Sequence, residues 1–289
     1  IKMQTNEFDD RTRTLIGNHL YDVLSVVFSY ASTIGISRYL NPSRQSPLQA
    51  MSSDFCKDVL SEVLNVSVHL PSNKFYNWEV NYDRFAEIIS SAPYNEVLDF
   101  LWYVCHWIAT HTTSTSFVHE IYNGFNQLFE KEYVGYRFVA GEITPITNSL
   151  EIQEIEQACQ IPFEGAHVQL QKALGFLSDR EHPDYKNSIK ESISAVESVC
   201  ETIVGSENGA TLGKAVKHLE EHGLKIHSSL REGISKLYGY ACDQGGVRHG
   251  EGEVESTVTF EEAKLMMVTC SAIVNYLVAE YGKHGAENA

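Results

Sequence analysis

The sequence predicts an all-α protein of helical bundles, with one short β-hairpin near a domain boundary. Apolar residues recur at helical spacing in the long segments. Pro, Gly and Asn clusters punctuate those segments. One stretch alone, residues 133–146, switches to β-rich runs. A length of 289 residues suits two modest domains, and 43% hydrophobic content supplies a core for each. The boundary is placed after Thr147, giving 1–147 and 148–289.

In chain order, Phe8-Asp9-Asp10-Arg11 opens a helix with Leu15, Ile16, Leu20, Val23, Leu24, Val27, Phe28 and Ala31 on one stripe. Asn41-Pro42 through Ser46-Pro47 reads as a loop. Asp54 is expected to cap a helix carrying Phe55, Val59, Leu60, Val63 and Leu64. After the break at Leu70-Pro71, a helix with Tyr82, Phe85, Ile88 and Ile89 runs to Ser91-Ala92-Pro93. Residues 94–110 turn Val97, Leu98, Leu101, Val104, Cys105 and Ile108 inward, with His106 read as a half-buried, satisfied histidine. Thr112 to Ser116 precedes a helix with Phe117, Ile121, Phe125, Leu128 and Phe129. These aromatics fall at helical spacing, so they are core knobs and not a platform for stacking bases. Two short strands flank Ala140-Gly141-Glu142, a hairpin that must pack on helices to persist.

Past the boundary, residues 150–159 make a short acidic amphipathic segment. A helix from about Glu164 buries Ala166, Leu170, Ala173, Leu174 and Leu177. His182-Pro183 ends that run, and Asp184 caps the next helix, whose face is Ile189, Ile193, Val196, Cys200 and Ile203. Glu197 stands at the edge of that stripe. After a loop at 205–209, a helix from about Ser229 leads into residues 239–250. The helix within Thr257–Tyr281 turns Ala263, Met266, Met267, Cys270, Ile273, Val274, Leu277 and Val278 inward. Four long helices around a polar loop make a bundle.

A net charge of −16 and a pI near 5.1 argue against a general nucleic-acid binder, so RNA chemistry would need a local basic pocket. The six cysteines form no C-x-x-C pair; no zinc or other metal site is expected, and the thiols read as free in a reducing cytoplasm. His218, His222 and His227 are too irregularly spaced for a metal cluster. No apolar run reaches the ~18 residues of a membrane span, and Ile1-Lys2-Met3 opens no signal region. No P-loop, G-x-G-x-x-G or G-x-S-x-G occurs, and no cofactor is expected.

The chemistry concentrates in Gly239-Tyr-Ala-Cys-Asp-Gln-Gly-Gly-Val-Arg-His-Gly250. Asp243 precedes a Gly245-Gly246 break, then come Arg248 and His249. His249 is suited to proton transfer near neutral pH and Arg248 to a phosphate. The alternative is a helix stop followed by an exposed turn. Neighbours on a helix point about 100° apart, so Arg248 and His249 converge on one phosphate only in a non-helical loop.

Residues 147–282 resemble the HEPN domain of AbiJ-type abortive-infection proteins. The likeness rests on Phe163-Glu164-Gly165, Leu177-Ser178-Asp179-Arg180, Pro183-Asp184-Tyr185, Ser188 through Glu197, Leu237 through Tyr240, Asp243 through Gly250, and Glu262-Ala263-Lys264. Val134 through Phe138 and Ile143 through Asn148 are similar to the AbiJ-type N-terminal domain. The resemblance implies a C-terminal HEPN-like four-helix bundle and a homodimer. It also implies metal-independent RNA cleavage by an arginine and a histidine from each protomer. Relatives usually separate that pair by four to six residues; here they are adjacent. On this reading Arg248 and His249 are catalytic, with Glu197 or Asp243 orienting them. The substrate is tRNA or mRNA, and an antitoxin or phage-derived trigger is a further possible partner. The competing reading is an inactive dimerisation or sensing module in which Asp243, Arg248 and His249 lock the loop.

Overall fold

The computed structural model describes residues 2–29, 47–65, 77–205, 226–243 and 258–287, with backbone alone at Pro47, 241–243 and 284–287. Among these the protein is helical, with one two-stranded antiparallel hairpin. It divides into two compact units, Ile1–Ile143 and Thr144–Ala289.

The first unit holds α1 (Asp10–Ser29), α2 (Pro47–Asp58), α3 (Trp78–Ser91), α4 (Tyr94–His111) and α5 (Thr115–Lys131). Helix α1 packs on α2, α3 and α5. The expected stripes supply the core: Ile16, Leu20, Leu24 and Val27 from α1, Phe85 and Ile89 from α3, Val97, Leu98, Leu101 and Val104 from α4, Phe125 and Phe129 from α5. Asp54 does not cap. Helix α2 begins seven residues earlier, at Pro47, whose missing N–H and fixed φ suit a first helical turn. Asp54 sits inside it, paired with Lys57 at 3.6 Å. The helix then widens into a π turn, Val59–Val63, that keeps Val59 and Leu60 buried. His106 is exposed and not half-buried; its ring stacks on Trp102 at 5.0 Å.

Long-range polar contacts that periodicity does not encode close this unit. Arg13 Nη1 donates to the Ile89 and Ala92 carbonyls (2.7 and 2.9 Å), satisfying the end of α3. Gln4 pairs with Val134 as a parallel bridge, and its side chain donates to Thr12 Oγ1 and the Glu132 carbonyl (2.8 and 2.7 Å). Gly135 lets that approach happen: a Cβ there would lie 2.7 Å from Thr5 Cγ2. Helix α5 ends in a Schellman turn, with Val134 N–H donating to Phe129 O and Tyr133 N–H to Glu130 O. Tyr133 occupies the left-handed position, φ +56°, where glycine is the unstrained residue. Tyr133→Gly is therefore expected to stabilise the protein by about 1 kcal/mol in urea melts; an equal loss would contradict the assignment.

The hairpin pairs β1 (Arg137–Val139) with β2 (Glu142–Thr144). Its turn residues Ala140 and Gly141 have φ of +47° and +95°, the signs a tight primed turn requires. Asn126 of α5 holds β1, donating to Phe138 O (2.8 Å) and accepting from Phe138 N–H (2.7 Å). The side-chain amide thus imitates a neighbouring strand.

The second unit holds α6 (Ser149–Ala158), α7 (Glu164–Ser178), α8 (Tyr185–Val204), α9 (Ser228–Asp243) and α10 (Phe260–Glu287). Asn148 caps α6 and Asp184 caps α8, the latter accepting from Asn187 N–H at 2.9 Å. Helices α7, α8 and α10 pack together, α6 lies on α10, and α9 on α8. Ser188 of α8 donates to Ala173 O of α7 at 2.8 Å. One turn later Ser192 reaches Met267 of α10 at 3.5 Å. By length and composition Phe260–Lys283 is apolar enough to cross a membrane, contrary to the expectation drawn from uninterrupted apolar runs. Within the unit, Ala263, Met266, Met267, Cys270, Ser271, Val274 and Leu277 form its buried face, the arrangement of a bundle helix.

Candidate functional site

Arg248 and His249, with the Gly245-Gly246 pair and Gly250, lie outside the described residues. What the structure gives is the pair of helix ends from which their segment leaves and returns. Helix α9 runs through Gly239-Tyr240-Ala241-Cys242 and closes on Asp243. Thus the first five residues of the glycine-rich stretch are helical. The return is at Thr259, which begins α10 with a capping box. Glu262 N–H donates to Thr259 Oγ1 (3.2 Å), and the Glu262 carboxylate accepts from Thr259 N–H (2.9 Å) and Thr259 Oγ1 (3.1 Å).

The other carboxylate oxygen of Glu262 ties the two ends together, accepting from Tyr240 Oη of α9 at 3.0 Å. The Thr259 amide, the Tyr240 hydroxyl and the Thr259 hydroxyl hold the Glu262 carboxyl below its usual range. Burial first, then the bond to Glu262, raises the Tyr240 phenol. A carboxyl lowered in the folded state contributes stability above its unfolded pKa and loses it as pH falls through the folded value. The stability gap between wild type and Glu262→Gln should accordingly be full at pH 7 and shrink once pH drops below about 4.5, measured by thermal melts. A gap unchanged down to pH 3 would refute the clamp.

A second loop belongs to the same end of the bundle. The first residue of α8, Tyr185, sets its ring edge-on to Phe260, the first residue of α10, with centroids 6.0 Å apart. The α7–α8 connection, residues 179–184, therefore enters beside the root of the α9–α10 segment. Asp179 shapes it by accepting from the Glu181 and His182 amides (2.9 and 2.8 Å), which, His182 foremost, lower its carboxyl pKa. This brings Arg180 and His182 to the end where Asp243 stands. Neither was singled out for chemistry from the sequence, although Thr259-x-x-Glu262 is a readable capping signal.

Glu197 is placed elsewhere. It is partly buried on α8, twelve residues past Tyr185, hence roughly 18 Å along the helix axis from the loop end. The described residues bring Asp243, Tyr240, Glu262, Arg180 and His182 to one end; Glu197 is not among them. No group of three or more His, Cys, Asp or Glu among the described residues is placed to hold a metal. His227 instead accepts from Ser229 N–H at 3.2 Å at the start of α9.

Residues 1–160 match the model of AbiJ N-terminal domain 4. The chain belongs to that family. Its AbiJ-type domain associates it with abortive infection, a form of defence. Neither curated proteins nor solved structures gave a match. The AbiJ N-terminal domain 4 match takes in the whole first unit, the hairpin and α6, and stops just short of α7. Helices α7 to α10, with the candidate site, lie beyond it.

Proposed function

We propose that this AbiJ-type protein is a metal-independent, HEPN-type endoribonuclease of abortive infection, with a site completed by a second copy. The observation that supports it best is the joining of the two helix ends by Tyr240 and Glu262. They fix the two helix ends that flank Arg248 and His249, at the end of the bundle where the loop with Arg180 and His182 lies. In the proposed reaction the ribose 2′-OH attacks the adjacent phosphorus and the P–O5′ bond breaks. The products are a 2′,3′-cyclic phosphate and a 5′-OH end. His249 takes the 2′-OH proton, its counterpart in the other protomer protonates the leaving oxygen, and Arg248 neutralises the phosphorane. Asp243, at the segment's root, is the nearer orienting group; Glu197 reaches it only if the segment folds back along α8. The first unit, or an antitoxin, would hold such a nuclease in check until a phage-derived trigger is recognised.

Incubation with total RNA and tRNA in excess EDTA tests this. Discrete fragments ending in 2′,3′-cyclic phosphate are expected; intact RNA over a range of protein concentrations and added phage lysate would reject it. The −16 charge and the adjacency of Arg248 and His249 favour a second reading, an inactive dimerisation or sensing module. Intact RNA together with salt-insensitive dimerisation supports that alternative.

A further inference from the structure

Helix α10 has two apolar faces, and among the described residues of its own unit only one is buried. Opposite the buried face runs a second stripe, Leu265, Val268, Ala272, Tyr276 and Ala279, at helical spacing. Leu265 is 61% exposed, Ala272 and Ala279 are exposed, and Val268 and Tyr276 are half-buried. This explains how a helix can be apolar enough to span a membrane while only 39% of its most apolar window is buried. The stripe is symmetric about Ala272, with Leu265 and Ala279 seven residues to either side and Val268 and Tyr276 four. Its charges stand at its ends and differ in sign. Glu261 is exposed eleven residues before Ala272, and Lys283 is exposed eleven residues after it, where it also pairs with Glu280.

We infer that this outer face of α10 is a self-association surface, on which a second copy packs antiparallel about a two-fold axis through Ala272. Antiparallel pairing sets each Glu261 against the partner's Lys283, whereas parallel pairing sets like charge on like. The small Ala272 at the crossing point lets the two backbones approach. Leu265 of one copy then lies over Ala279 of the other, so that a large residue meets a small one across the seam. The inference is independent of the nuclease reading. Thr259 lies thirteen residues from Ala272, so this pairing holds the two loop ends roughly 39 Å apart and cannot be the contact that pools them. If both contacts exist, the assembly has two different two-fold interfaces and is larger than a dimer.

Cysteine cross-linking of the full chain in a Cys242→Ser background tests it, with that parent as the uncross-linked control. On mild oxidation Ala272→Cys should give a covalent dimer, because a residue on the axis meets its own mate. Leu265→Cys alone should not, since its mate is about 21 Å away; a mixture of Leu265→Cys and Ala279→Cys chains should. Leu265→Glu should weaken association at least tenfold in sedimentation equilibrium. Self-linking of Leu265→Cys would overturn the antiparallel arrangement. Absence of the Ala272→Cys dimer, or an unchanged association constant for Leu265→Glu, would overturn the face. So would co-flotation of the wild type with phosphatidylcholine–phosphatidylglycerol vesicles in place of cross-linking. RNA cleavage is assayed separately, so loss of this interface with intact cleavage leaves the proposed activity standing.

Discussion

Replacing His249 with alanine is expected to lower RNA cleavage by roughly 100- to 10,000-fold, the range spanned by a positioned acid–base group. In the proposed reaction each site needs two proton transfers, and each chain offers one histidine in this segment. Losing the imidazole from both copies therefore removes base and acid together. Arg248→Lys should fall nearly as far, because an ammonium keeps the charge but not the planar fork that spans two phosphate oxygens. Asp243→Asn is expected to cost about tenfold if Asp243 only orients its neighbours, and Glu197→Gln less, because its place on α8 is remote from the loop end. Matching circular dichroism and unchanged melting would show that each variant is folded. Cleavage by folded His249→Ala at the parental rate would remove the nuclease reading whatever the other variants do.

Periodicity made the helices legible because it measures what most of them bury. The expected inward sets of α4 and α7, and that of α8, are buried throughout. A cap was readable where the capping residue follows an obvious break, as Asp184 follows Pro183, whereas the cap at Asn148 emerged only from the structure. The same reasoning misplaced the start of α2, because Ser46-Pro47 reads equally as a turn and as the first turn of a helix. Nothing local to Gln4, Arg13 or Asn126 announces their roles. Their partners lie 128, 76 and 12 residues away and are mostly backbone atoms, which carry no side-chain signature. At the candidate site the residue types were readable, but which of them share one end of the bundle depends on how α8 and α10 align. The Tyr185–Phe260 and Ser192–Met267 contacts show that these helices run parallel, and that alignment separates Glu197 from the loop end.

Phe125→Ala is expected to be among the most damaging single changes in the first unit, at about 3–5 kcal/mol. Phe125 has no exposed surface, and its ring meets Phe138 of β1 at 5.7 Å, Phe129 at 6.1 Å and the edge of His19 at 4.6 Å. Truncation leaves a cavity among groups that cannot close it. Phe138 is fixed by the Asn126 amide, and His19 is crowded by α5, where a Cβ on Gly124 would come within 2.6 Å of His19 Nε2. Burial lowers the pKa of that imidazole. Two buried thiols allow the effect to be localised. Cys105 of α4 lies in the first unit and Cys270 of α10 in the second, and burial raises the pKa of each, Cys270 to about 12. Each therefore reacts with a thiol reagent only when its own unit opens. Labelling at Cys105 should accelerate at least a hundredfold in Phe125→Ala while Cys270 keeps its parental rate. Equal acceleration at both sites would mean that the two units open as one, and an unchanged Cys105 rate would mean that the Phe125 pocket is not what holds the first unit together.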